Sequence, residues 1–234
     1  AKLQWLDKIP DLQPKTAADR GTQIHQEAED YVLGKSGLTH NLRHFEDDLA
    51  ALAQHAKNGR VTCEQEWGFD DQWNPVEWRR AWLRLKADAV CHLDATHAVV
   101  VDFKSGRRFG NEIKHARQLQ LYAVCALILY PNLEQVTCEL WYLDQNELAD
   151  FTMKRSQLKK YLKIFDKAGI EFTTESEFKP NPNIYSCKYC PYHPSKQGDC
   201  AFGAVTEARM NTPTSDFSNL KPVSFDMDEF KGRV

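Results

Sequence analysis

The chain has 234 residues, with 30 Lys and Arg against 33 Asp and Glu, a formal net charge of −3. That is more than one average domain and less than two, and 42% hydrophobic residues are enough for a sizeable core. The balance excludes a globally basic nucleic-acid binder, and the longest apolar run, Leu121–Tyr130, is ten residues, too short to cross a membrane as a helix.

In chain order, Ala1–Ile9 reads as the middle of an element, which points to residues upstream. Thr16 with Asp19 has the form of a capping box, opening a helix to Gly34 with Ile24, Ala28, Tyr31 and Val32 as its apolar stripe. A second helix is predicted over about 40–58, from Leu42, Phe45, Leu49, Leu52 and Ala56, with Gly59 as its stop. The period then changes to two. Val61, Cys63, Trp67 and Phe69 mark a strand, Asp70–Pro75 a turn, and Trp82–Leu93 and His97–Lys104 two further strands. Asn111–Tyr130 reads as a long helix ended by Pro131. Val136–Leu143 and Glu147–Met153 read as a hairpin, and Ser156–Ala168 as an amphipathic helix closed by Gly169. The order ααβββαββα is an α/β unit, followed by a cysteine-rich stretch and a polar tail.

The chemistry concentrates in 83–106. Leu83, Leu85, Ala87 and Ala89 are expected on one face of their strand, with Arg84, Lys86 and Asp88 on the other. If Asp94–Thr96 is the turn, opposed residues sum to 190 and Asp88 stands across from Asp102. Two carboxylates that close repel each other, and a hard divalent cation such as Mg²⁺ resolves the conflict. Lys104 shares the Asp102 face and adds positive charge beside whatever the metal binds, an arrangement suited to phosphodiester hydrolysis. His25 lies one turn after Gly21, where the missing side chain leaves room for an imidazole ligand. Gln118 and Tyr122 share a helix face that Lys114 extends. Arg79, Arg80, Arg84 and Lys86 precede one aspartate region, and Arg107, Arg108, Lys114 and Arg117 follow the other. These local clusters suit a phosphate backbone, with Arg84, Lys86, Arg107, Arg108 and Lys114 as the DNA-binding candidates.

Taken in order, Gly21–His25 as G-x-x-x-H, Lys86-Ala-Asp88, Asp102-Phe-Lys104 as D-x-K and Gln118–Tyr122 as Q-x-x-x-Y resemble the PD-(D/E)XK nuclease superfamily, in particular its RecB-like branch. The resemblance covers roughly 15–200. It implies a restriction-endonuclease-like αβββαβ core, a mixed sheet flanked by helices, and Mg²⁺- or Mn²⁺-dependent DNA cleavage. It also implies His25, Asp88, Asp102 and the Phe103 carbonyl as metal ligands. Lys104 would be catalytic, and Gln118 and Tyr122 accessory. The compact size is similar to phage recombination exonucleases and CRISPR-adaptation nucleases of that branch. Glu64 and Glu66, one strand earlier, are either outer metal neighbours or, as expected here, surface or structural residues.

Of seven cysteines, Cys63, Cys91, Cys125 and Cys138 sit in apolar segments and read as small core residues. Cys187, Cys190 and Cys200 are clustered, with His193 between them. C-x₂-C chelates one soft ion or cluster. The resemblance implies a 4Fe–4S cluster on three such cysteines and a fourth near the N-terminus, which would fall just before the opening Lys2-Leu-Gln-Trp5, ahead of Ala1. A Cys₃His zinc site through His193, or free cysteines, are the other readings. The expected organisation is a nuclease core over 1–183, a Cys-rich segment over 184–203 and a tail over 204–234. Phe217, Leu220, Phe225 and Phe230 make that tail a candidate docking segment for a protein partner. The leading function is a DNA exonuclease in replication, recombination or repair. The alternative is a non-catalytic nucleic-acid-binding or scaffold module of the same fold. The cysteine usage and the lack of any signal-peptide pattern point to the cytoplasm of a bacterium or a phage-infected host.

Overall fold

A computed structural model of the chain describes residues 16–106, 108, 110–177, 179–180, 182–183, 187, 189–196, 198 and 200–203. These divide into two units, one holding residues 15–175 and the other the described residues from 176 onward. The first begins with α1 (Thr16–Val32), whose Ile24, Ala28 and Val32 recur every fourth residue and are buried. The Thr16 side chain, and with it the capping box, lies outside the described residues. The second helix is not continuous. It opens as a 3-10 turn, His40–Phe45, and α2 runs Glu46–Lys57; Phe45 leaves helical geometry at φ −119°, and Leu42 and Phe45 both reach the core.

Three antiparallel strands follow: β1 (Val61–Phe69), β2 (Leu83–His92) and β3 (His97–Lys104). Asp70 closes a turn by accepting from the Gln72 and Asn74 amides. At the β2–β3 turn, Asp94 accepts from Thr96 and His97 amides, and these bonds hold its carboxyl down at about 2. α3 (Glu112–Leu129) then carries the chain over the sheet to β4 (Gln135–Tyr142), which pairs parallel with β3, as such a crossover allows. β5 (Glu147–Lys154) returns antiparallel, and α4 (Leu158–Thr174) closes the unit. The sheet order is β1-β2-β3-β4-β5. One core lies between the sheet and α3 with α4, the other between the sheet and α1 with α2. This is the mixed five-stranded sheet between helices that the motif order implied.

Two further expectations fail for physical reasons. Leu83, Leu85 and Ala87 pack on the α3 side, but Ala89 packs on the α1 side. The switch falls where the β1–β2 ladder omits the Glu64–Asp88 pair, and Glu64 takes a left-handed φ of 55°. Gly169 does not end α4. A Cβ there would stand 2.3 Å from Trp82 Cη2, so the glycine admits the indole against the helix. Replacing it by Val should lower stability by about 1–3 kcal/mol through overpacking, read as a fall in the thermal midpoint; an unchanged midpoint would show that Trp82 has room to move.

Candidate active site

The expected register holds: Ala89–Val101, Val90–Val100, Cys91–Val99 and His92–Ala98 all sum to 190. The ladder ends one residue short of Asp88 and Asp102, so the two acids are not a paired rung. β2 and β3 fork there, and each carboxylate finds different donors. Asp88, 7% exposed, accepts from the Phe103 amide at 2.7 Å and faces His25 Nδ1 at 3.2 Å. Burial opposes a charge on His25, but the bond and charge of Asp88 outweigh it and raise the imidazole pKa.

Asp102, 4% exposed, turns its Oδ1 to α3. Gln118 Nε2 and Tyr122 Oη each lie 2.9 Å from it. The Tyr122 hydroxyl also stands 2.8 Å from the Lys86 carbonyl, so one phenol spans the fork from β3 to β2. Burial above all, and Asp102 next, push the phenol pKa far up, so it remains a donor. Asp102 Oδ2 makes no well-aligned hydrogen bond but lies 2.5 Å from Lys104 Nζ. Burial raises the Asp102 pKa, Lys104 pulls against that rise, and the nearby Asp88 charge adds to it. The sequence-derived residues therefore form two adjoining groups, His25–Asp88 and Asp102–Lys104–Gln118–Tyr122. Phe103 joins them by its amide, while its ring packs between His25 and Trp141.

Glu64 was expected at the surface or in a structural role. Its carboxylate instead shares a space with His25 and Asp88, the donor atoms of all three lying within 4.8 Å of one another. Two carboxylates and an imidazole suit a hard or borderline divalent ion. Alternation along β1 gave equal weight to Glu64 and Glu66; the left-handed φ at Glu64, invisible in the sequence, separates them. A second unforeseen feature lies behind Lys104. Asp144, in the β4–β5 turn, takes two bonds from Arg20 at 2.6 and 2.8 Å and one from the Gly106 amide at 2.9 Å. The space left by Gly21 is occupied by Ser105, whose Oγ would lie 3.1 Å from a Cβ there. These contacts join α1 to the segment leaving β3.

The basic candidates are unequal. Arg84 and Lys114 are exposed; Lys86 is ion-paired with Glu64, and Arg108 lies 3.7 Å from Glu147. Arg107 lies outside the described residues, as does the tail from 204.

In the second unit, successive turns bring the Cys-rich residues back on themselves. The Cys190 amide bonds the Cys187 carbonyl, the His193 amide bonds Cys190, and the Cys200 amide bonds Tyr192. Cys187, Cys190 and Cys200 are half-buried. Gly198 is required by a close approach, since a Cβ there would meet the Tyr192 backbone at 2.2 Å. His193 is buried, and its Nδ1 lies 2.7 Å from the Ser195 hydroxyl and 3.2 Å from the Ser195 amide.

The model of the PD-(D/E)XK nuclease superfamily matches residues 1–195. Among solved structures, SSO0001 is 12% identical, with 73% of this chain and 93% of that one covered and a TM-score of 0.30. A Eubacterium rectale protein carrying the provisional name exonuclease is 9% identical, with 80% and 85% covered and a TM-score of 0.40. No curated protein matches the chain.

Replacing Tyr122 by Phe removes the side-chain hydroxyl that bridges the fork, leaving the Phe103 amide to Asp88 in place. Unfolding in urea should show a loss of about 1–3 kcal/mol; full stability would mean that water or Gln118 replaces the hydroxyl.

Proposed function

The chain belongs to the PD-(D/E)XK nuclease superfamily, and on that footing we propose that it is a divalent-metal-dependent deoxyribonuclease of the RecB-like kind, acting as an exonuclease. The observation that carries the reading is the meeting, at the fork between β2 and β3, of a His25–Glu64–Asp88 donor group and the Asp102–Lys104 pair.

The donor chemistry fits Mg²⁺ or Mn²⁺. His25, Glu64 and Asp88 already converge, and Asp102 Oδ2 is a buried acceptor beside the Lys104 amine. Asp102 and the Phe103 carbonyl complete the proposed ligand set. When bound, the ion lends positive charge to the phosphoryl oxygens and acidifies a water. Lys104 contributes a second positive charge where the pentavalent transition state gains negative charge. Gln118 and Tyr122 fix the Asp102 carboxylate, so it need not reorganise as the phosphate arrives. The half-buried Lys104 ammonium is free to exchange Asp102 for a phosphate oxygen once another cation neutralises that acid.

For the Cys-rich segment we favour a 4Fe–4S cluster on Cys187, Cys190 and Cys200 over a Cys₃His zinc site. The C-x₂-C spacing with a third cysteine carries that preference, while His193, with Nδ1 2.7 Å from Ser195 Oγ, keeps Nε2 as the zinc alternative's donor. The free thiols of Cys91, Cys125 and Cys138, all buried, agree with a reducing compartment. No described helix is long and apolar enough to cross a membrane.

Incubation of the purified protein with end-labelled linear and circular DNA, with Mg²⁺ or Mn²⁺, tests the activity. Asp102→Ala and Lys104→Ala should each cut roughly a hundredfold more slowly or worse, and His25→Ala should need more metal for half-maximal rate. Wild-type activity in the two alanine variants would place the chemistry elsewhere; degradation of circular DNA would remove the exonuclease mode; a wild type that cuts nothing would favour a scaffold. Cys187→Ser should lower the melting temperature and abolish the brown absorbance of the loaded protein, whereas colourless wild-type protein with stoichiometric zinc would end the cluster assignment.

A further inference from the structure

The loop between β1 and β2 contains a 3-10 turn, Trp78–Arg80, that the site described above does not use. Trp78 is half-buried there, and Arg84 of β2 lays its guanidinium over the indole, 5.6 Å from the ring centroid. Arg84 Nη2 also donates to the Arg79 carbonyl at 3.2 Å. The guanidinium plane is therefore held from two sides while the residue remains exposed. Arg79 and Arg80 are exposed as well, and among the described residues none of the three arginines has a carboxylate partner. Their situation differs from that of Lys86, Lys104 and Arg108, each set against an acid. Glu77, the acid nearest to Arg79 and Arg80 in sequence, is exposed.

The strand leads from this turn to the carboxylates. Arg84, Lys86 and Asp88 alternate along β2, and Lys86 reaches Glu64 of the candidate metal group. Four residues of strand put Arg84 about 13 Å from Asp88, a short run of nucleotides from the reacting phosphate. A guanidinium backed by an indole offers a flat, cationic, pre-ordered surface. Nucleobases stack on such planes; an unpaired strand exposes the faces of its bases along its length, whereas a duplex covers them everywhere but at its two ends. The body of a duplex offers those arginines phosphates alone.

We propose that Trp78 and Arg84 form a stacking platform for a base of an unpaired DNA strand entering the site, with Arg79 and Arg80 on its phosphates. The inference rests on the nuclease reading of that site and adds the single-strand character of what it receives. No reaction step is assigned to the platform; Trp78 and Arg84 are binding residues.

The test reads binding apart from cleavage. Fluorescence anisotropy with a labelled single strand and a covalently closed circular duplex containing the same sequence is measured without added divalent metal, on the full chain. Trp78→Ala should weaken single-strand binding by about tenfold, the scale of one base–aromatic stack, and leave duplex binding unchanged. Trp78→Phe should restore most of the loss, which also controls for misfolding of the alanine variant. Arg84→Lys keeps the charge and loses the plane; it should weaken the single strand with the salt slope unchanged. Equal losses on both DNAs, or none, overturn the platform. A wild type that cleaves DNA while Trp78→Ala binds both DNAs normally refutes the platform alone; a wild type that cuts nothing but shows the single-strand loss refutes the nuclease reading alone.

Discussion

Two carboxylates lie buried side by side in the fold at the point where β2 and β3 part, and most of the surrounding structure serves to make that tolerable. A buried carboxylate without donors is costly, and a second one nearby raises the cost. Asp88 is met by a backbone amide from β3 and an imidazole from α1; Asp102 is met by an amide and a phenol from α3 and by the ammonium of Lys104. Helices on both faces of the sheet are thus tied to one pair of acids. Most of the carboxylate oxygens are met in this way, while Asp102 Oδ2 has Lys104 beside it but no aligned hydrogen bond.

The strand distortion belongs to the same solution. Had the β1–β2 ladder run on regularly, Glu64 and Asp88 would have formed an ordinary rung. The ladder omits that rung, and the left-handed backbone at Glu64 sets its carboxylate with Asp88 and His25. A non-glycine residue in that region carries local strain, and strain of that kind collects where side chains must be aimed. The Arg20–Asp144 ion pair with the Gly106 amide works at longer range, linking α1 to the segment that follows Lys104.

Much of this was legible in the chain itself. The strands of Val61–Phe69 and His97–Lys104 coincide with their alternating patterns, and the 190 register followed from the turn length alone. Spacing also put Gln118 above Tyr122, and the structure has both on Asp102. Gly21 and Gly169 were recognised as special positions for incomplete reasons. One receives Ser105 and the other Trp82, partners remote in sequence that no local pattern announces.

Periodicity and turn chemistry therefore determined most of the element order and the β2–β3 register, which depend on nearby neighbours, and motif order singled out Asp88, Asp102 and Lys104 as candidates. Tertiary structure decided the rest: that the acids flank a fork instead of facing across a rung, that Glu64 and not Glu66 joins His25, and that Lys86 is neutralised while Arg84 rests on Trp78. Those outcomes depend on where a ladder breaks and on which distant side chains fill the gap, and the free energies involved are set by burial in three dimensions, which no one-dimensional pattern encodes.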